Sequence, residues 1–593
     1  MQKKWLIQES APESFIEEHK DLHLHPVVSS LLWNRDIRKV EDIQAFLEPS
    51  FDTHIHDPFL FSQMQIAVER IVRALREGQR VLVFGDYDAD GITGSATVIT
   101  AIRKAYEVLG LDGGLDLQSY IPHRDKEGYG LQMSQVEKFI DEKIDLVITV
   151  DCGISCVAEV ADLKLAGIDT IIVDHHQFGD ALPDGVLIHP SIPGETYPFK
   201  LLAAVGVAWK LACGLIGYLR TECDCEIPDG YEKWLLDFVS IATVTDIVPL
   251  VGENRVLETY GLIVLNKTKR PGFQALFRRA GLVQGSINAR DVGFAIGPRL
   301  NAPSRMDHAS VGLKLLLSET DEEADFYAGD IERLNRERQD ATKVMMKEAD
   351  EILESFSNTD PAYVLWRHDW SPALVGLVAG RVADRFGAPV VAIGKHGAQW
   401  IGSGRSYPYY DITEAVKRAG EGLLTRSGGH VQACGFALED DEYVPLFAER
   451  LRQDAAEQIQ EGDNGPSLEI HAEIPLAHAD WKLTGMLDAF EPFGAQNPHP
   501  VFMTSRVEVV TSCTVGKLGK HLRFVGRHQG VSRTFIGFNF GHRVEEAMHG
   551  CHIDVVYTVS INEWNGRRDL QCKVVDFRSS SGVIPDSGLR IPD

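Results

Sequence analysis

Thr170-Ile171-Ile172-Val173-Asp174-His175-His176 is an apolar run closed by one carboxylate and two imidazoles. Three other apolar runs also end in acids: Val81–Phe84 leads into Gly85-Asp86-Tyr87-Asp88-Ala89-Asp90-Gly91, Leu146–Val150 into Asp151-Cys152-Gly153, and Ile241–Val244 into Thr245-Asp246. If the first three are adjacent parallel strands, their carboxylates and imidazoles gather at one sheet edge, where open α/β sheets place their ligands. Four or more carboxylates cannot stay ionised side by side without counter-charge. Divalent cations supply it, and a set of carboxylate oxygens and imidazole nitrogens without a thiolate pair suits Mn²⁺ or Mg²⁺ better than a structural zinc. Two such ions about 3.5–4 Å apart form the arrangement used for phosphoester hydrolysis.

Asp86, Asp88 and Asp90 alternate by two and share a face in an extended segment, while Gly91 and Gly94 let the backbone turn tightly into a helix. A calcium loop has the same Asp-x-Asp-x-Asp-Gly pattern, but it needs a preceding helix and a Glu at its twelfth position. Here a β-like run precedes it and the twelfth residue is Thr97. The histidine pair is a weak signal alone; placed after an apolar strand and 23 residues beyond Asp151 it becomes specific. Adjacent imidazoles can divide metal ligation and proton donation between them.

At 593 residues the chain exceeds a single core, and a net charge of −27 argues against coating nucleic acid by bulk electrostatics. No run of about 18 apolar residues is present, and Met1-Gln2-Lys3-Lys4-Trp5 leads to Glu9 and Glu13 without a signal core. No membrane span or export is expected. The nine cysteines are scattered and odd in number, so a disulfide framework is not expected and a reducing cytoplasm fits. Cys223-Asp224-Cys225 reads as a surface loop, because no second pair stands at zinc spacing.

Two short amphipathic helices are expected between residues 20 and 50, and another over Ile66–Glu77. Strand, glycine turn and helix then alternate from about 80 to 265, the pattern of a parallel sheet wound with helices. Asp321–Glu354 pairs opposite charges at helical spacing and predicts a long connecting helix. A second α/β segment spans Tyr363–Leu438, with Tyr363–Trp366 and Pro389–Ile393 flanking a helix at Ala373–Phe386. Residues 456–467 read as a linker, and the short runs Val501–Val510, His521–Val525 and Arg533–Phe540 predict a small barrel of oligonucleotide-binding (OB) type. The expected divisions are an N-terminal helical segment at 1–60, a catalytic α/β domain at 61–268, a connecting helical region at 269–356, a smaller α/β domain at 357–458 and the barrel at 467–580.

These motifs, with Ile121-Pro122-His123-Arg124, Glu127-Gly128-Tyr129-Gly130, Gly297-Pro298-Arg299-Leu300-Asn301-Ala302, Leu334–Gln339, Ser427-Gly428-Gly429-His430 and Gly494-Ala495-Gln496-Asn497-Pro498, resemble the DHH phosphoesterase superfamily and its single-strand-specific exonucleases over nearly the whole chain. The resemblance implies a parallel-sheet DHH domain and a smaller α/β DHHA1 domain joined by a long helix. It implies two Mn²⁺ or Mg²⁺ ions held by Asp88, Asp90, Asp151, His175 and Asp246, with Asp86 as a further ligand or a support. Asp151 and His175 would serve catalysis, and His176 would touch the scissile phosphate or assist the leaving group. Ser403, Arg405 and His430 would bind a terminal phosphate or strand backbone, with their glycines admitting main-chain N–H groups to the anion; Arg124 and Arg299 are further phosphate candidates. The chain departs from the family pattern at Ser371, Ala373 and Cys434, all in the substrate-gripping half.

In the barrel segment Lys517, Lys520, His521, Arg523 and Arg527 are expected to meet DNA, and the interleaved Phe524, Phe535 and Phe538 to fill the core. The activity implied is 5′→3′ degradation of single-stranded DNA to mononucleotides by a monomer, in repair and recombination, beside a helicase and a single-strand binding protein. Two alternatives remain at this point: a phosphodiesterase for oligoribonucleotides or cyclic dinucleotides, and a nonenzymatic replication scaffold.

Overall fold

The computed structural model describes residues 3–357, 359–460, 465–564 and 567–580. They form two compact units, Pro49–Pro466 and Lys3–Glu48 together with the chain from Ser467 onward.

The first unit is built on a five-stranded parallel sheet in the order Leu117–Tyr120, Val81–Gly85, Leu146–Val150, Asp169–Val173, Val186–Ile188. Its central strands are buried along their length because helices cover both faces, which is why they read as continuous apolar runs. The fourth acid-ended run departs from expectation. Ile241–Val244 belongs to a helix, Leu236–Thr245, and not to a strand. That helix is buried nearly all round, so its sequence lacks the polar stripe that would betray a 3.6-residue period.

Asp321–Leu353 is the expected long helix, capped by the Thr320 side chain on Glu323 N. It leads to a mixed sheet in the order Leu424–His430, Ala433–Leu438, Gln399–Arg405, Val390–His396, Tyr363–Arg367, with helix Pro372–Phe386 against it. Alternation along Gln399–Arg405 sends Trp400, Gly402 and Gly404 toward the apolar core and Ile401, Ser403 and Arg405 to the other face. The middle of the expected linker, 461–464, lies outside the described residues.

In the second unit Phe502–Val515, His521–His528, Val531–Gly537, Arg567–Ser579 and His552–Trp564 close a five-stranded barrel, the last strand returning to pair with the first. Phe524 and Phe535 stack inside it at 4.8 Å, as expected of core, whereas Phe538 is half exposed. Arg527 is held by Glu508 through two hydrogen bonds of 2.8 and 3.0 Å. The N-terminal helices Pro26–Trp33 and Val40–Leu47 bury Leu31, Leu32, Ile43 and Phe46 in the same core as Leu483, Leu487 and Phe490. An N-terminal strand, Lys4–Ile7, which sequence reasoning did not single out, pairs in parallel with Ser467–Ile470.

Candidate active site

Strand register assembles the site. Gly85 aligns with Val150 and Val150 with Val173, and the ladder runs one residue further: Asp86 N donates to Val150 O at 3.1 Å, Asp151 N to Val173 O at 2.9 Å, and Asp174 N to Ile188 O at 3.3 Å. Asp86, Asp151 and Asp174 therefore stand side by side at the carboxyl ends of neighbouring strands. Asp88 caps helix Ala89–Val108, its Oδ1 accepting from Asp90 N at 2.8 Å and Gly91 N at 3.2 Å. Gly91 is required here: a Cβ would fall 2.5 Å from the backbone of Asp86. Asp90 accepts from Ala204 N and Val205 N, both at 2.8 Å, where helix Ala204–Thr221 begins. Asp246 arrives from another direction, at the carboxyl end of helix Leu236–Thr245.

The ligand-type atoms form three overlapping groups, each with its atoms within 4.8 Å of one another: Asp86, Asp88 and Asp151; Asp151, His175 and His176; and Asp90, His175 and Asp246. His175 Nε2 lies 3.4 Å from Asp151, 3.7 Å from Asp246 and 3.8 Å from Asp90. Asp86 Oδ1 and Asp151 Oδ1 are buried without a hydrogen-bond partner. Asp151 also holds a left-handed φ of 63°, a local strain found at functional sites.

Burial, compounded by Asp88, raises the carboxyls of Asp86 and Asp90, the latter to about 7. Burial with Asp90 and Asp88 raises those of Asp151 and Asp246. His175 is lowered to about 4 by burial and by neighbouring His176, so its imidazole is neutral and its lone pair free to ligate. Orphaned buried oxygens, mutually repelling acids and a neutral imidazole together fit hard divalent cations. All six expected ligands, Asp86, Asp88, Asp90, Asp151, His175 and Asp246, converge.

His176 differs from its neighbour. Its Nδ1 lies 2.9 Å from Asp174 Oδ1; burial lowers the imidazole most, but this bond and the charges of Asp174, Asp246 and Asp90 together raise it to about 9. Asp174 also accepts from the backbone of His175, His176 and Ile154 at 2.7–3.1 Å, and the His176 imidazole, helped by the Ile154 and His176 backbone bonds, holds its carboxyl low despite burial. Tyr129 Oη lies 3.1 Å from His176 Nδ1 and donates to Asp151 O at 3.0 Å. Sequence reasoning quoted Asp174 and Tyr129 in motifs without giving them roles; their signal was only adjacency to the ligands.

Beside the acids opens a cleft of about 840 Å³ whose wall includes Tyr87, Arg124, Arg305, Ser403, Arg405 and Arg426. Arg124 stacks over Tyr87, with its guanidinium 5.1 Å from the ring centre. Arg405 donates to Ser403 Oγ at 2.8 Å and to Gly404 O at 2.7 Å. Arg305, which sequence reasoning passed over three residues after Ala302, donates to Ala373 O at 2.7 Å and is lowered to about 9 by burial and by Arg124, Arg338 and Arg405. None of Arg124, Arg305, Arg405 and Arg426 has an ion-pair partner among the described residues. Half-buried Arg124, Arg305 and Arg405, close enough to repel one another and without an ion-pair partner among the described residues, suit an anion.

Two expected residues fall elsewhere. Arg299 is bound to Glu332 at 2.8 Å and does not line this cleft, nor does His430, which lies on the outer strand Leu424–His430. The glycines of 402–404 do not open N–H groups to an anion, because their strand pairs on both sides. They make room in the core: a Cβ on Gly402 would meet Phe436 at 2.1 Å and one on Gly404 would meet Cys434 Sγ at 2.7 Å.

An acid–imidazole cluster at a parallel-sheet edge, faced by an arginine-lined α/β domain, defines the DHH class. Residues 80–243 match the model of the DHH family N-terminal domain, 359–457 that of the DHHA1 domain and 470–576 that of the RecJ OB domain. The single-stranded-DNA-specific exonuclease RecJ of Bacillus subtilis is 34% identical over 98% of this chain and 72% of its own length; that of Escherichia coli is 33% identical over 94% and 96%. The crystal structure of RecJ from Thermus thermophilus in complex with Mn²⁺ superposes with a TM-score of 0.80 at 29% identity, covering 98% of this chain and 81% of that one. The chain belongs to the RecJ family of single-stranded-DNA-specific exonucleases.

Proposed function

We propose that this protein is a 5′→3′ exonuclease that hydrolyses single-stranded DNA to mononucleotides with two Mn²⁺ or Mg²⁺ ions, in DNA repair and recombination. The observation that supports it most is the juxtaposition of a cluster of mutually repelling acids with a cleft of unpaired arginines, Tyr87 standing between Asp86 and Asp88 and lining the cleft. The relatives named above are single-stranded-DNA-specific exonucleases, and a RecJ has been crystallised with Mn²⁺ and with Mg²⁺.

Asp88, Asp90, Asp151, His175 and Asp246 would hold the cations, with Asp86 supporting or sharing in ligation. Bound there, the cations supply Lewis acidity toward the phosphoryl oxygens and a nucleophile from water near neutral pH. Arg124, Arg305, Ser403 and Arg405 grip a terminal 5′-phosphate and set the strand in register. Asp174 fixes the proton on His176 Nδ1, so the imidazolium presents Nε2–H to the scissile phosphate or to the departing 3′-oxygen. Such an enzyme acts as a cytoplasmic monomer on strands opened by a helicase and kept extended by a single-strand binding protein. Arg299 and His430, outside the cleft, would contact the strand backbone elsewhere along its path.

The test is digestion of one strand labelled at either end, in Mn²⁺ and Mg²⁺, with duplex and RNA controls. A labelled mononucleotide should appear at once from the 5′ end and last from the 3′ end. Early release from the 3′ label, or equal attack on duplex, would refute the reading.

A further inference from the structure

The three ligand groups overlap, the first two sharing Asp151 and the last two sharing His175. Asp86 and Asp88 flank Tyr87, which lines the arginine cleft. Asp246 is more open to solvent than Asp90 and Asp151, which are sealed. A strand anchored by its terminal phosphate among the arginines and cut at the acids would leave past Asp246.

Two large apolar side chains stand exposed at that exit. Ile247, directly after Asp246 and with a left-handed φ of 60°, is 73% exposed; Phe294 is 81% exposed. Phe294 lies on a single π-helical turn, Val292–Ile296, a geometry that recurs at functional sites. The turn is pressed onto the end of the helix that delivers Asp246: Cβ atoms on Gly293 and Gly297 would meet Val244 at 3.4 Å and Thr245 at 2.2 Å. The Arg290 guanidinium lies 5.9 Å from the Phe294 ring centre, adding positive charge beside the aromatic face. A lone exposed apolar residue needs no explanation, but an aromatic ring with a cation at the mouth of a phosphodiesterase centre has the two elements that hold single strands without reading sequence.

We propose that Phe294 is a stacking platform for the nucleobase that lies one to three nucleotides on the 3′ side of the scissile phosphate, positioning the strand for each cut. This rests on the exonuclease reading above. Because every base has a stacking face, the contact advances the strand without sequence preference.

The test uses 5′-phosphorylated strands, each with one abasic residue stepped along from the 5′ end, and compares KM and kcat for the wild type, Phe294→Ala and Phe294→Trp. In the wild type an abasic residue at the second to fourth position should raise KM about tenfold. Phe294→Ala should raise KM about tenfold on the intact strand, lose the position effect and leave kcat nearly unchanged; Phe294→Trp should keep the wild-type pattern. Phe294→Ala with unchanged KM, or with undiminished sensitivity to the abasic position, would overturn the platform. A wild-type protein that cuts no single strand would sink the exonuclease reading instead.

Discussion

Asp151 is shared by two ligand groups, carries an unpartnered buried oxygen and holds a strained φ, so no other acid in the cluster is placed to do its work. Asp151→Ala is expected to abolish hydrolysis while strand binding stays measurable by fluorescence anisotropy; Mn²⁺-dependent turnover at the wild-type rate would remove the metal assignment. Asp174 acts at one remove. Asp174→Asn takes away the anion that keeps His176 protonated at Nδ1, and kcat is expected to fall about 10–100-fold with Mn²⁺ affinity little changed. A calorimetric titration beside the kinetics separates this from a lost ligand. The six candidate ligands were legible as five acids and one imidazole closing apolar runs. Asp174 and Arg305 were not, since their roles depend on what they face across the fold.

At the scale of elements, alternation decides what each strand offers. Gly402 exists because Phe436 lies across its backbone, so Gly402→Ala forces the ring off its site and is expected to cost about 1–3 kcal/mol in urea unfolding of the Pro49–Pro466 unit. Adding Phe436→Leu should recover part of that loss. Equal stability of wild type and Gly402→Ala would show that the sheet relaxes freely. The helix Leu236–Thr245 shows where element type was hidden: Ile241–Val244 is as apolar as the true strands, and only packing against its neighbours made it helical.

At the scale of the whole molecule, the barrel unit is completed by Lys3–Glu48. Leu31 is fully buried among residues of both segments, and Leu31→Ala is expected to cost about 2–5 kcal/mol, seen as a lower melting transition for that unit. A melt unchanged within error would show that the N-terminal helices are not part of that core. The same unit holds His471, lowered to about 4 by burial and by Arg35, with Nε2 unpartnered and Nδ1 accepting from Val501 N at 3.1 Å. Its folded pKa lies below the ordinary 6.5, so the unfolded chain binds the proton more readily; stability is full above about 6.5 and drains away as pH falls toward about 4, by on the order of 3 kcal/mol. His471→Asn, which keeps an acceptor for Val501, should flatten that decline. An equally steep decline in the variant would assign it to other groups.

What the sequence determined alone was local and repeated: apolar runs ended by acids, glycine turns, a charged helix and short alternating strands, each readable because neighbours in the chain impose period and punctuation. It therefore showed the candidate ligand residues and the order of the parts. The tertiary structure decided which residues face one another. It turned Arg299 onto Glu332 and placed Arg305 in the cleft, joined residue 4 to residue 467, and stood Phe294 at the exit beside Asp246. Those outcomes depend on distances between segments far apart in the chain, and no local pattern encodes such distances.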